Sequence, residues 1–430
     1  MKMNFKYVSM MACAALMAGF TSCSNDSDVE APAPSEKGTA TVDIKLNIPS
    51  TRGSSNYIGT SEESAIKEIS VWIYDVKDGS TTVSHKKVAN GASVTGIETT
   101  AGEKVIYVGA NLPATIKGNI TSAGKDLITS YVHNITMTDL ANDVANNGIA
   151  MFAQTSLSAN LVATPEGTTT TPNANKLTVK VERMVAKIAV AQKTDIVFAT
   201  GFETTLDFTV KQTNRYIFTT KQETDPNYNG YLYSWNGTKS VIEAGATYGP
   251  EQFENSQNYL AVKAVADGAD GDAWSANVNS FYVPENMEVL GRMGSNTYVS
   301  IRARYGTTTF WTINDATTNA LKSIETSKPT AAADEVVYEY KDGYCYYRVY
   351  PIKETGYNVH RNDYYRVKIN EIKGLGAPND ETEYTEDPDK EPDPFYPPGK
   401  PIDETNALVD VTVEVMNWVL FDEEEHVLGE

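Results

Sequence analysis

Three kinds of residue in this 430-residue chain could do chemistry: one isolated arginine, one cysteine behind an apolar leader, and many carboxylates. Arg52 is the only arginine between Cys23 and Arg183. It sits with Gly53 in Pro49-Ser50-Thr51-Arg52-Gly53, a short polar stretch of the kind proteases nick. Cys23 closes Phe20-Thr21-Ser22-Cys23 behind an apolar run at 8–20 that follows Lys2 and Lys6. That run is too short to span a bilayer and has the length of a secretory signal. Small residues before such a cysteine resemble the lipobox of bacterial lipoproteins, whose cysteine is acylated. Catalytic patterns are lacking. His85, His133, His360 and His426 are scattered, without HExxH, a nucleophile elbow or a phosphate-cradling glycine loop. The 56 acidic residues always offer carboxylate pairs, so no pair stands out as catalytic. Neither a cofactor site nor a metal site is expected. DGADGD, within 266–273, lacks the spacing of a helix-loop-helix calcium site.

The elements that must hold Arg52 in reach are strands. Before it, TVDIKLNI alternates, with Val42, Ile44, Leu46 and Ile48 on one face. Near the other end VDVTVEV repeats the device with Val409, Val411, Val413 and Val415, and Trp418 follows. If proteolysis at Arg52 removed the first strand, the second could fill the same slot in a neighbouring molecule. Four aliphatic side chains entering an apolar groove would contribute about 1.5 to 3 kcal/mol each. Donor and acceptor surfaces differ, so such a contact builds an open filament, not a closed ring.

Between these ends run short strands closed by turn residues: ISVWIY before Asp78-Gly79, KVIYV before Asn111-Leu112-Pro113, and an alternating stretch at 176–190. Helical periodicity is scarce, and Thr, Val and Tyr abound, as pleated half-buried surfaces favour. The formal charge of −20 repels nucleic acid and anionic headgroups, so no nucleic-acid partner is expected. Of three cysteines only Cys345 remains in the mature body, which excludes an internal disulfide there. A drop in apolar content at 219–226 suggests a domain boundary. The acidic, proline-rich stretch at 377–405 reads as a tether that cannot pack as a core. Tyr344, Tyr346, Tyr347 and Tyr350 read first as cross-strand packing and second as a carbohydrate platform.

These residues resemble the fimbrillins of Bacteroidales surface fimbriae (type V pili), most of all the stalk subunit of short fimbriae. The resemblance is carried by ISVWIYD, GEKVIYVGANLP, ERMVAKI, FYVPEN, YCYYRVYPIKE, RNDYYRVKINEIKGLGAP and VTVEVMNW. It implies an all-β chain of two transthyretin-like Greek-key β-sandwich domains in tandem, with a C-terminal donor strand. Carried onto this sequence, it implies a lipoprotein signal peptide at 1–22, a propeptide at 23–52, sandwiches at 53–220 and 221–403 (the latter including the connector), and a donor appendage at 404–430. Cys23 would be lipidated and Arg52-Gly53 cut by an arginine-specific surface protease. The strand at 41–48 would leave, and residues 408–421 would enter the next subunit by donor-strand exchange. The product is expected to be a structural subunit and not an enzyme. It would begin as an outer-membrane lipoprotein with a transient lipid anchor and end in an adhesive extracellular fimbria. Its partners would be other copies of itself, related subunits, and receptors on host or bacterial surfaces. A non-polymerising surface lipoprotein that binds glycans or host proteins, or a tip or accessory subunit, is the competing expectation.

Overall fold

The computed structural model describes residues 38–47, 56–58, 60–88, 91–128, 132–153, 155–219, 231–233, 239–241, 253–254, 256, 258–266, 274, 278–286, 296–351, 359–380 and 408–419. The first half forms strands β1 (Thr39–Asn47), β2 (Asn56–Ile58), β3 (Glu68–Asp75), β4 (Thr81–Lys87), β5 (Ser93–Thr100), β6 (Gly102–Ala110), β7 (Val132–Asn134), β8 (Met151–Ala153), β9 (Leu157–Leu161) and β10 (Lys176–Arg183). One sheet runs β4-β3-β6-β8-β10-β1-β5, with β9 added against β6. Its period-two faces converge on a single core holding Val42, Ile44, Ile69, Val71, Ile73, Val94, Ile97, Ile106, Val108, Val179 and Val181. The sheet curls until its two ends meet. There Thr82 of β4 hydrogen-bonds Thr99 of β5 at 2.9 Å, and Lys86 Nζ donates to the Thr95 carbonyl at 2.8 Å.

The second half is a sandwich of two sheets. The first contains β11 (Val185–Phe198), β13 (Ser280–Pro284), β19 (Asp363–Ile372) and β20 (Val409–Val419). β11 runs parallel to β19 and antiparallel to β13, and β20 lies antiparallel on the far side of β19. The second sheet stacks β12 (Phe202–Lys211), β14 (Tyr298–Tyr305) and β18 (Tyr344–Val349) in antiparallel order. A three-stranded antiparallel sheet, with β15 (Phe310–Asp315) at its centre between β16 (Leu321–Glu325) and β17 (Glu335–Tyr340), stands beside it. Ile188, Val190, Phe208, Val210, Val299, Ile301, Tyr347, Tyr365, Val367 and Ile369 meet between the sheets. The all-β, sandwich-like architecture is the one expected from alternation.

Pairing passes from the first sheet to the second between Arg183 and Val185, because β10 pairs with β1 while β11 pairs with β19. The expected division at 220/221 does not coincide with that handover. A fall in apolar content along a sequence need not coincide with a change of sheet. The handover itself is built from two of the quoted motifs. The fully buried Arg183 donates from Nη1 to Asn362 Oδ1 at 3.2 Å, and the Asn362 N–H donates to the Val185 carbonyl at 2.9 Å. Asn362 takes φ +60°, a left-handed turn that Asn tolerates better than most residues. Its neighbour Arg361 is ion-paired to Glu285 in the interior and donates to the Phe218 and Thr219 carbonyls at 2.7 and 3.2 Å. RND and ERMVAKI therefore work as structural rivets.

A third core lies between the halves and explains why the first half of β11 is apolar on both faces apart from Lys187. Ala186, Ile188 and Val190 face the sandwich core, while Val185, Ala189 and Ala191 face Trp72, Leu112, Ile116, Phe152 and Tyr364. A strand covered on both faces loses its alternation. Helices α2 (Ala114–Ala123) and α3 (Met137–Asn147), together with the short helical turn Lys125–Ile128 through Ile128, contribute to this layer, where the sequence suggested little helix. The Thr136 side chain caps α3 by accepting from the Asp139 N–H at 3.0 Å, a local signal overlooked amid the threonine-rich texture.

The burial profile of β11 makes a direct prediction. Ile188 is wholly buried, whereas Val197, nine residues on in the same strand, is 58 % exposed. Ile188→Ala should lower unfolding stability by about 2–5 kcal/mol, whereas Val197→Ala should stay within about 0.5 kcal/mol. Denaturant titration of both variants measures the difference.

Candidate assembly site

β1 is an interior strand. It runs parallel to β10, from Asp43 opposite Lys176 to Asn47 opposite Lys180, and antiparallel to β5, from Thr39 opposite Thr100 to Lys45 opposite Ser93. Ala40, Val42, Ile44 and Leu46 are 1, 0, 0 and 4 % exposed. The polar face is held as specifically as the apolar one. Thr41 N–H donates to Thr164 Oγ1 at 2.8 Å, and Asn175 Nδ2 donates to the Thr41 carbonyl at 2.9 Å. Asp43 Oδ1 accepts from the Gly96 N–H at 2.9 Å and from the Thr171 hydroxyl at 2.7 Å. Removing β1 would open a groove with donors and acceptors on both walls and apolar residues along its floor.

β20 has a looser setting. It pairs with β19 from Val409 opposite Ile372 to Asn417 opposite Asp363, and its last residues run parallel to β2, with Asn56, Tyr57 and Ile58 opposite Asn417, Trp418 and Val419. Val409, Val411 and Val413 pack on the second core but are only half-buried. Val415 lies opposite Tyr365 in the ladder. Thr412 and Glu414 are exposed, Glu414 ion-paired to Arg366 and Thr412 accepting from Asn370 Nδ2 at 3.0 Å. Along most of its length β20 is thus an edge strand on its own sandwich, with one backbone edge facing away from the sheet.

Cys23, Ile48, Arg52 and Gly53 lie outside the described residues, as does the expected connector beyond Asp380. The last two of the four fall between the end of β1 at Asn47 and the start of β2 at Asn56. The connector leaves from a fixed point. Asp380 is ion-paired with Lys211 at 3.2 Å, accepts from Ser300 Oγ at 3.1 Å and is hydrogen-bonded by the Tyr259 hydroxyl. DGADGD also lies outside the described residues. Of the four tyrosines, Tyr347 and Tyr350 are buried, and Tyr347 OH donates to the Gly374 carbonyl at 2.6 Å. Tyr344 faces the Arg302 guanidinium, which lies 4.4 Å from its ring centre and 4.1 Å from that of Tyr259. Packing thus engages these rings.

One feature on the downstream side of Arg52 escaped the sequence reading, although Thr60-x-x-Glu63 is a capping-box signature. The four-residue helix α1 (Ser61–Ser64) begins with Glu63 N–H donating to Thr60 Oγ1 and Thr60 N–H donating to Glu63 Oε2. The other carboxylate oxygen of Glu63 reaches into the second sandwich. It lies 2.6 Å from Lys187 Nζ of β11 and accepts from Tyr282 OH of β13 at 2.7 Å. Burial raises the Glu63 carboxyl, but the Lys187 charge and the donated hydrogen bonds outweigh it and hold the pKa below the usual value. Residues 60–64, downstream of Arg52 in the chain, are therefore clamped to β11 independently of β1.

Two family matches frame this geometry. Residues 40–249 match the family of the major fimbrial subunit protein (FimA), and residues 338–424 match the C-terminal family of the major fimbrial subunit protein type IV, fimbrillin. The first begins within β1 and the second contains β20, and together they span more than half of the chain. The chain belongs to the fimbrillin family. As a fimbrillin it is a surface fimbrial subunit with a structural role. A candidate cell adhesion protein of Parabacteroides distasonis shares the fold at TM-score 0.50, with 14 % identity over 90 % of this chain and 99 % of that one. A second from that organism (TM-score 0.46, 17 % identity, 89 % and 99 % covered) and one from Bacteroides eggerthii (0.45, 14 %, 89 % and 97 %) are also similar. No curated protein matches this fimbrillin by sequence.

The Glu63 clamp has a pH signature. Because the folded carboxyl is depressed, its contribution is present above the ordinary value of 4.5 and is lost as pH falls through the lower folded value. Glu63→Gln should therefore cost about 3 kcal/mol near neutrality, in the range for breaking a buried pair. The gap to wild type should close below pH 4.5, as read by thermal melts across pH.

Proposed function

We propose that this fimbrillin is the structural subunit of an adhesive surface fimbria, exported as a lipoprotein through Cys23, cut after Arg52 by an arginine-specific protease, and polymerised by donor-strand exchange. β1 leaves after cleavage, and β20 of another copy takes its place. The supporting observation is the contrast in burial between the two seats. Val42, Ile44 and Leu46 are essentially sealed in the first sheet, whereas Val409, Val411 and Val413 are half-exposed on their own edge. Moving a valine from half to full burial gains about 1 kcal/mol, so three contribute roughly 3 kcal/mol. The donor also exchanges one mostly unpaired backbone edge for ladders on both sides, with β5 and β10 as walls.

Intramolecular pairing of β20 with β19 then serves the subunit before assembly. It covers the second core and keeps an aggregation-prone edge occupied. The anchor at Asp380 gives the following acidic segment a defined origin. At about 3.3 Å per extended residue, the stretch from 381 to 407 is long enough to carry β20 across a domain.

Arg52→Ala should leave the chain monomeric after exposure to an arginine-specific protease, and truncation before Leu408 should abolish laddering on denaturing gels while leaving cleavage intact. Filaments in electron micrographs of the cut wild-type protein complete the expected pattern. Ladders that persist in both variants would overturn the reading, and a cut protein that stays solitary would favour a non-polymerising surface lipoprotein.

A further inference from the structure

Donor-strand exchange specifies which face of the donor turns inward, but alternation alone leaves its register open. A one-residue slip would turn every valine outward, whereas a two-residue slip keeps them inward. Some other feature must choose among registers two apart. The acceptor sheet contains one at Asp43.

Opposite Asp43 the pairing of β1 with β5 skips, from Val42 over Ile97 to Ile44 over Val94. Thr95 and Gly96 thus oppose one residue, which is a β-bulge. Gly96 takes φ +63°, a conformation suited to glycine. Its N–H donates to Asp43 Oδ1 at 2.9 Å, and the Thr171 hydroxyl donates to the same oxygen at 2.7 Å. Thr171 is itself buried. The bulge is held from behind by Lys86 Nζ, which donates to the Thr95 and Gly96 carbonyls at 2.8 and 3.3 Å. The slot therefore contains a fixed two-donor seat for a short carboxylate.

Residues 42–48 read Val-Asp-Ile-Lys-Leu-Asn-Ile, and residues 409–415 read Val-Asp-Val-Thr-Val-Glu-Val. Both place aspartate between the first and second aliphatic residues. We propose that Asp410 of the incoming copy occupies the Asp43 seat and sets the register of assembly. Val409, Val411 and Val413 then stand where Val42, Ile44 and Leu46 stood. The proposal rests on the donor-strand reading above. A slip of two residues would bring Leu408 or Thr412 to the seat, leaving the Gly96 and Thr171 donors without a carboxylate. A slip of four would bring Glu414, one methylene longer, and would carry the first two valines past their positions.

The register is testable by cross-linking in the full chain after cutting at Arg52. Lys45 lies opposite Ser93 in the antiparallel ladder, so the proposed register puts Thr412 there. Thr412→Cys with Ser93→Cys should give disulfide-linked oligomers under mild oxidation, and Glu414→Cys with Ser93→Cys should not. Asp410→Ala should slow laddering about tenfold or more, because a charge-assisted hydrogen bond is lost. In a Thr171→Val background the same substitution should have a much smaller effect, which a merely structural role of Asp410 in its own domain would not produce. Cross-links through position 414, or ladders equally fast with Asp410→Ala, would overturn the register while leaving strand exchange intact. Absence of ladders from the cut wild-type chain would overturn strand exchange itself.

Discussion

A strand held between two neighbours commits both of its backbone edges and one full face of side chains, and the first sheet of this fimbrillin depends on such a strand at its N-terminal end. β5 is joined to the sheet through β1, with only side-chain bonds to β4 closing the other side. Without β1 the core around Val94, Ile97, Val179 and Val181 would face water along its length. That arrangement couples stability to occupancy. The fold requires a strand in the slot, while the covalent link from β1 to the body passes through residues 48–55, where the lone arginine stands.

The second sandwich handles a related problem differently. Its sheet carries β11 in its interior, apolar on both faces, with one face for its own core and one for the layer shared with the first half. The buried clusters at the handover keep this joint in place: Arg183 with Asn362, Arg361 with Glu285, and Glu63 with Lys187. Buried charges in such pairs add little to stability compared with apolar substitutes, but losing one partner is costly. Their effect here is to fix how the halves meet. The α1 clamp lies downstream of β1 in the chain and holds to β11 through residues that β1 does not supply.

The edge position of β20 follows the same physics from the other side. A strand with half-buried valines and one largely open ladder edge covers its own core while leaving most of one backbone edge unpaired. Its exposed residues are polar or charged, which discourages random edge-to-edge pairing. The contrast with β1 lies in burial and pairing, since the two segments are close in composition.

Much of this was legible in the chain itself. Period-two alternation in 42–48 and 409–415 identifies both strands because strand geometry sends successive side chains to opposite faces, and the solitary Arg52 stands out without any coordinates. Motifs such as RNDYYRV and ERMVAKI were visible as signatures, but their work was not. Only the folded chain shows that Arg183 meets Asn362, that Glu63 crosses to Lys187, and that sheet membership changes before Val185 and not near 220. The seat of Asp43 belongs to the same group. In sequence it is one more polar residue on the solvent face of a strand. Its meaning comes from a bulge some fifty residues away and a hydroxyl from a loop further still. Local patterns follow from backbone periodicity, which acts between neighbours. Partners so far apart in the chain are chosen by packing, which no local pattern encodes.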